Sequence, residues 1–508
     1  MSSAFTHLPL GQRIPDRPHA VSCSLPTMRD VRGYEEKDPA TLSQLTSGYP
    51  RFVVHPWLRL LAAHLGMVDP AIGPDRTLWL VSSARMAREL AAHLGAGVDA
   101  GCCAHDGIHG VHHRPDADLA RAAKLYLQHV GGFLSSRAAE ERLVRLGHLP
   151  AVEAEELFPG DALGEVRRQL RAVLPGTTDA DVLPAASGMN AVWAAFRAVS
   201  ALQATRGRTV WLQLGWLYLD TIALLRKFTG GPADYLPVRD VLDHRGLERL
   251  FATHGSRLAG VMVEVPTNPL IQTPDLPALA DLCRRHGVRL VADPSLASVF
   301  SLNVLPHADL LVTSLTKYAA GEGDLLSGLV AVNPAGPDAA ELRPRVADAL
   351  EPVHPRDLAR LAAQLGQAPE LVRQIEANTG AVAAFLRAHP AVRDVYWALQ
   401  DGSAANYRRL ARGATATGGM ITFTLRRPGA LEPFYDALRL PKGPSFGMQS
   451  TLICPFLYLA HYDLVTTPAG RAELAANGLD PDLLRLCCGR EPAADIIGAL
   501  REALDRVA

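Results

Sequence analysis

Between residues 160 and 345 short apolar runs alternate with helical or polar stretches. The runs are TVWLQL, GVMVEV, VRLVAD, DLLVTS and GLVAVN. DLPALADLCRRHG shows the helical half: Leu276, Leu279 and Leu282 recur at helical spacing and Gly287 follows as a stop. Strands and helices alternating in this way predict a mostly parallel sheet covered on both faces. In such sheets ligands bind beyond the C-terminal ends of the strands, so those ends are the places to look for chemistry.

The flanks read differently. Residues 1–50 are rich in Pro, Gly and charge and are expected to wrap a surface rather than form a core. From 53 to 150 the helical patterns PWLRLLAAHLG and ADLARAAKLYLQHV surround one strand, TLWLVSS. In the final third a strand, GMITFTL, precedes the helix ALEPFYDAL, and DLLRLCC precedes AADIIGALREALDRV. Ile496, Ile497, Leu500, Leu504 and Val507 make one apolar stripe on that last helix. The expected organisation is an interface-forming N-terminal region at 1–155, a large α/β domain at 156–345 and a smaller α+β domain at 346–508.

Composition narrows the class. Of 508 residues 48% are hydrophobic and 20% charged, and the formal net charge is −1, ordinary values for a soluble enzyme. Basic and acidic residues are interspersed, so no nucleic-acid partner is expected. No run approaches the ~18 apolar residues of a membrane helix, and the N-terminus lacks the apolar core of a signal peptide. Seven cysteines without a paired spacing predict reduced thiols and a cytoplasmic protein. CCAHDGIHGVHH offers Cys102, Cys103, His105, His109, His112 and His113, but adjacent cysteines do not give the usual zinc spacing. A surface loop without metal is expected there.

Three features fall at strand ends or a helix start. Asp293 ends VRLVAD, Lys317 follows DLLVTS, and Ser187, Gly188 and Met189 open an apolar helix. Each alone is ordinary: a turn residue, a solvated strand-end lysine, a helix cap. Together they are the three anchors that pyridoxal phosphate requires. Lysine forms the Schiff base, a carboxylate keeps the pyridine nitrogen protonated, and helix-start amides bind the phosphate.

The segments SGMNAV, VEVPTNPLIQTPDLPALADLCRRHGVRLVAD, TSLTKY and LLRLCCGRE resemble the Cys/Met-metabolism family of pyridoxal-phosphate enzymes. HAVSCSLPTMRDVRGYEEKDP, GYPRF and QHVGGFLSSRAAE are similar to the N-terminal region of its long, fungal-type cystathionine γ-synthases. The resemblance runs from about residue 19 to the end. It implies the aspartate-aminotransferase-like fold, fold type I, and a homodimer or homotetramer.

By the same resemblance Lys317 is the Schiff-base lysine, and Gly188 and Met189, with Ser187 before them, hold the phosphate. Ser314 and Thr316 flank the lysine and assist. Tyr218, in YLDTIALL, stacks on the pyridine ring, Asn268 lies beside its phenolic oxygen, and Ser295 lies near the cofactor. Arg485 grips the substrate α-carboxylate, and Ser445 faces the substrate.

The chain also departs from the pattern. Pro294 follows the aspartate where many relatives have asparagine, and Glu322 stands where a histidine is frequent. No Tyr-x-Arg is visible; Arg137, in SSR, is the candidate for reaching a neighbouring subunit's phosphate. The implied reaction is γ-replacement on an O-activated homoserine, giving cystathionine when cysteine is the nucleophile. Another thiol, a carbon nucleophile, plain γ-elimination, or a non-catalytic cofactor-binding regulator are the alternatives. The leaving group is open among succinyl, acetyl and phosphoryl.

Overall fold

The computed structural model describes residues 5–48 and 53–508; positions 49–52 of the GYPRF motif lie outside them. Seven strands form the central sheet. Their spatial order is Val182–Ala185, Gly328–Val332, Leu310–Thr313, Arg289–Asp293, Leu258–Glu264, Val210–Leu214 and Tyr235–Val238. Leu310–Thr313 and the four strands beyond it pair in parallel. Gly328–Val332 alone runs antiparallel to both neighbours.

Side chains alternate across this sheet, and both faces are buried. Leu290, Ala292, Leu311, Leu329 and Ala331 enter one apolar cluster. Val291, Leu310, Val312, Val330 and Val332 enter the other. That two-sided burial is why these strands read as continuous apolar runs. Two strands carry no such signal, Val182–Ala185 and Tyr235–Val238. Each contains a proline, Pro184 or Pro237, and each lies at an edge of the sheet, where a missing ladder donor costs least. The helix Leu276–His286 starts on Asp275, which accepts from the Ala278 amide, and ends on Gly287 in the left-handed region at φ 68°.

The C-terminal part is a four-stranded antiparallel sheet in the order Val392–Trp397, Met420–Leu425, Leu484–Cys487 and Leu452–Pro455. The helix Ala493–Leu504 covers it; Ile496, Leu500, Leu504 and Val507 are buried, and Ile497 is partly so.

The N-terminal residues depart from expectation. Cys23, Leu25, Met28, Val31 and Tyr34 are buried in one cluster with Phe423, Phe434 and Leu486 of the C-terminal part. They are core, not wrapping. The short helix Met28–Glu35, closed by a reciprocal Thr27–Asp30 capping box, turns Met28, Val31 and Tyr34 to one side. The charges between those positions hide the stripe in the sequence. Further on, the helices Pro56–Val68 and Ala117–Val130 flank a three-stranded antiparallel sheet of Thr77–Val81, Ile108–His113 and Ala100–His105. The Cys/His segment is thus a β-hairpin rather than a loop. Its His105 pairs with Asp69 at 2.6 Å and His113 accepts from the Trp79 indole at 3.1 Å. Among the described residues no three His, Cys, Asp or Glu side chains are grouped to hold a metal ion. All seven cysteines are free, and no helix of the described residues is long and apolar enough to cross a membrane.

A buried ion network joins these parts. Arg137 pairs with Glu155 at 2.7 Å and Asp357 at 3.1 Å, Arg356 with Glu140 and Glu155, and Arg360 with Asp324 and Glu322. Arg137, Arg360, Glu140, Glu155 and Asp324 are almost wholly shielded from water.

Candidate active site

The C-terminal ends of the parallel strands open into a cavity of about 510 Å³. Ser187, Gly188, Met189, Tyr218, Asn268, Asp293, Ser295, Ser314, Thr316, Lys317, Ser445 and Arg485 all line it, and so does Arg137. The topology brings together what the sequence spreads over three hundred residues.

At the floor, Asp293 ends its strand directly opposite Glu264 of the neighbouring strand. Its Oδ1 accepts from the Ser295 amide at 2.8 Å. The Ser295 hydroxyl accepts from the Ser314 amide at 2.8 Å and meets Thr313 Oγ1 at 3.1 Å, tying the aspartate strand to the lysine strand. Burial raises the Asp293 carboxyl to about 6, against the hydrogen bonds from Ser295. Glu264 is held well above the usual carboxylate range, first by burial and then by the Asp293 charge. Two like carboxyls this close cannot both ionise easily, so an opposite charge brought to Asp293 would be strongly held.

Glu264 is a residue that the sequence reading missed. It accepts from the Tyr218 amide, which anchors the start of the helix Leu219–Phe228 and the Tyr218 ring beside the cavity. A carboxylate at the C-terminal end of the buried strand GVMVE was the available signal.

Lys317 follows the strand Leu310–Thr313. Its backbone is set by Lys317 N to Ser314 O, 3.1 Å, and by Tyr318, buried at φ 61° with its hydroxyl on the Leu296 carbonyl. Lys317 Nζ donates to Ser445 Oγ at 3.0 Å and lies 5.0 Å from the centre of the Phe446 ring. Burial, and after it the nearby Arg485 charge, lower its pKa well below the ordinary lysine value. That shift favours the uncharged amine, the form that can act as a base.

Arg485, on the strand Leu484–Cys487, sits between the rings of Phe446 at 5.2 Å and Phe456 at 4.7 Å. Both rings escaped the sequence reading: Phe456 lies in the apolar run ICPFLYLA and looks like core, and Phe446 stands in the loop segment PSFGMQS, where nothing marks it. Behind it the Cys487 thiol accepts from the Gly447 amide at 3.2 Å, and burial raises it to about 11, so it stays protonated at neutral pH.

At the other end of the cavity the helix Gly188–Ala204 begins. Ser187 Oγ caps the Asn190 amide at 3.1 Å, and the amides of Gly188 and Met189 open the helix. A Cβ at Gly188 would meet Ser314 Cβ at 2.7 Å, so only glycine lets this helix start approach the lysine strand. Thr316 Oγ1 is engaged with Ser327, accepting from its amide at 3.0 Å. Asn268 Oδ1 is buried without a hydrogen-bond partner among the described residues. Arg137 differs from expectation: its guanidinium is ion-paired within its own chain to Glu155 and Asp357 and donates to the Asp324 carbonyl.

The site fits pyridoxal phosphate on these observations. It has a glycine-only helix start for the phosphate, an orphaned amide oxygen on Asn268 lining the cavity, a buried acid and a buried amine whose pKa is lowered. Arg485→Ala is expected to lower kcat/KM about tenfold or more, mainly through KM, because a charge-assisted contact is worth roughly 1.5–3 kcal/mol. Arg485→Lys should fall between, since it keeps charge but loses the two-pronged donor set. Steady-state kinetics on the loaded protein check this; an unchanged KM for Arg485→Ala would remove it from the substrate contact.

Comparison with known proteins agrees with this reading. The family model for Cys/Met metabolism PLP-dependent enzymes matches residues 169–505, more than half of the chain. An L-2-amino-4-chloropent-4-enoate dechlorinase/desaturase of Streptantibioticus cattleyicolor is 40% identical over 493 residues, covering 97% of each chain. A cystathionine gamma-synthase of Neurospora crassa is 24% identical, covering 97% of this chain and 98% of its own. Among solved structures, cystathionine gamma synthase of Xanthomonas oryzae pv. oryzae in complex with cystathionine superposes with a TM-score of 0.58 at 24% identity. That match covers 73% of this chain and 96% of the other.

Proposed function

The chain belongs to the Cys/Met metabolism PLP-dependent enzymes and has fold type I, and on that premise we propose that it eliminates a γ-substituent from an L-α-amino acid. The substrate proposed first is a γ-chloro, γ,δ-unsaturated amino acid of the kind named for the Streptantibioticus relative. What carries this is the buried amine that lines the cavity, Lys317 Nζ, hydrogen-bonded to Ser445 and close to the Arg485 charge, in a chain 40% identical over 493 residues to a dechlorinase/desaturase.

Bound pyridoxal phosphate would supply an electron sink that makes the proton on the amino-bearing carbon, and then those on the next carbon, acidic, and would return electrons to expel a leaving group. The residues do the rest. Gly188 and Met189 amides with Ser187, Ser314 and Thr316 would hold the phosphate, and Tyr218 would lie against the ring. Asn268 would meet the phenolic oxygen, and Asp293, steadied by Ser295, would hold the proton on the ring nitrogen. Arg485 fixes the α-carboxylate, which orients the Cα–H bond toward Lys317. Freed of its covalent link, Lys317 Nζ takes the Cα proton, and Ser445 Oγ steadies the amine while it does so. Lys317 Nζ must give up that proton before it can take one from Cβ. As chloride departs from Cγ one proton is returned to carbon, so that the net loss is one proton and one chloride. The product has lost one HCl and gained one unsaturation.

A second reading is γ-replacement of an O-acylhomoserine by cysteine, giving cystathionine; the likeness to the Neurospora synthase over nearly the whole of both chains favours it. The same residues would serve, with a thiol adding at Cγ in place of product release. A homodimer or homotetramer in the cytoplasm is proposed with either reading.

Incubation with L-2-amino-4-chloropent-4-enoate, and separately with O-acetyl- and O-succinyl-L-homoserine with and without cysteine, discriminates. Chloride release with a product one HCl lighter is expected. Cystathionine from an ester, with no chloride from the chlorinated substrate, would replace the first reading by the second.

A further inference from the structure

We propose that residues 18–25 form a strap that positions the catalytic amine, acting through Ser22; this rests on the reading of Lys317 as the working base. The strap is anchored along the N-terminal wall of the cavity, which His19, Ala20, Val21 and His55 help to line. Pro18 O accepts from His55 Nε2 at 2.9 Å, Ala20 O accepts from Ser47 Oγ at 2.6 Å, and His19 lies between Ser136 and Glu140. It then crosses to the two loops that carry the reactive pair. Val21 N donates to Gly323 O, on the loop after Lys317, at 2.9 Å. Ser22 Oγ donates to Pro444 O at 2.6 Å, fully buried, and Leu25 N donates to Lys442 O at 2.9 Å. The contact is close: a Cβ at Gly443 would stand 2.3 Å from the Cys23 carbonyl oxygen.

The consequence for Ser445 is geometric. The Pro444 carbonyl and the Ser445 amide belong to one planar unit, so a donor that fixes that carbonyl fixes the plane from which the Ser445 φ is measured. Ser445 has φ 84°, a left-handed conformation that a serine keeps only where its surroundings over-determine it. In that conformation its Oγ receives Lys317 Nζ at 3.0 Å. Without the Ser22 hydroxyl the plane is released, Ser445 can relax, and the amine loses the acceptor that aims it. Ser22 touches neither Lys317 nor the cavity floor. It is a positioning residue.

The test is a double-variant cycle on the full-length protein. Ser22→Ala is expected to lower kcat about tenfold with little change in KM, the size of one lost neutral hydrogen bond. It should also slow, by a similar factor, the growth of visible absorption when pyridoxal phosphate is added to cofactor-free protein, which reports amine presentation without turnover. Ser445→Ala should do the same, and the double variant should be no worse than Ser445→Ala alone. Effects that multiply in the double variant, or an unchanged rate of colour growth in Ser22→Ala, would overturn the proposal. Should Ser22→Ala not fold, Ser22→Cys keeps the shape with a weak donor. A smaller loss in kcat is expected there, and wild-type kinetics in both assays would count against the strap. Full turnover by Lys317→Ala would instead remove the reading beneath it.

Discussion

Lys317→Ala is expected to lose turnover by at least about 10⁴-fold, the upper range of a proton-transferring group combined with loss of covalent attachment. The purified variant should bind pyridoxal phosphate without the visible band of a lysine-linked cofactor. In the wild type, borohydride should leave a pyridoxyl group on Lys317 and on no other lysine, as peptide mass spectrometry will read. The physical ground is the amine's environment: burial and the Arg485 charge lower its pKa, and Ser445 Oγ accepts from it. A pyridoxyl label on a different lysine would move the chemistry elsewhere in the chain.

Asp293→Asn is expected to lower kcat/KM by on the order of 10²–10³, because a neutral amide cannot hold a proton on the ring nitrogen as a buried charge does. The same substitution should have the opposite sign for the cofactor-free protein. Asp293 is raised to about 6 by burial, so the folded state binds a proton more tightly than the unfolded chain does. Ionising the group then costs stability as pH rises from about 4 toward 6 and beyond. Cofactor-free Asp293→Asn should therefore unfold at a higher temperature than the wild type above pH 6, with the difference closing below about pH 4. Thermal unfolding across that range checks it. A wild type more stable than the variant at pH 7 without cofactor would mean that Asp293 is already paired with a positive charge.

Much of the site was legible because parallel strands mark their own ends. Asp293 and Lys317 each follow a run that is apolar on both faces, and Ser187 caps a helix visible from its periodicity. Pairing across the sheet was not legible. Glu264 became a functional candidate only when its strand was seen in register with Asp293, a relation that no linear spacing encodes. The two proline-bearing edge strands were missed for a related reason: edge position relaxes the composition that identifies a strand. Met28, Val31 and Tyr34 share a helix too short and too charged to show a stripe, and their partners lie some four hundred residues away. Arg137 was placed by analogy with an arginine motif, whereas its partners, Glu155 and Asp357, stand in segments that carry no motif.

That ion network has a consequence for how the gene product can be dissected. Arg137, Glu140 and Glu155 lie on the N-terminal side of residue 156; Asp324, Arg356, Asp357 and Arg360 lie on the other. A truncated protein starting at residue 156 would keep the seven-stranded and four-stranded sheets, yet it would strip Arg356 and Asp357 of buried counter-charges. Removing one partner of a buried pair costs about 3–5 kcal/mol, a large part of what holds a folded chain together. The shortened chain should therefore accumulate in the insoluble fraction on expression, and co-expressed residues 1–155 should restore soluble protein by supplying the missing charges in trans. The first 155 residues are then less an appendage than one half of a clasp, and an engineer seeking a minimal enzyme would have to redesign the clasp before cutting it.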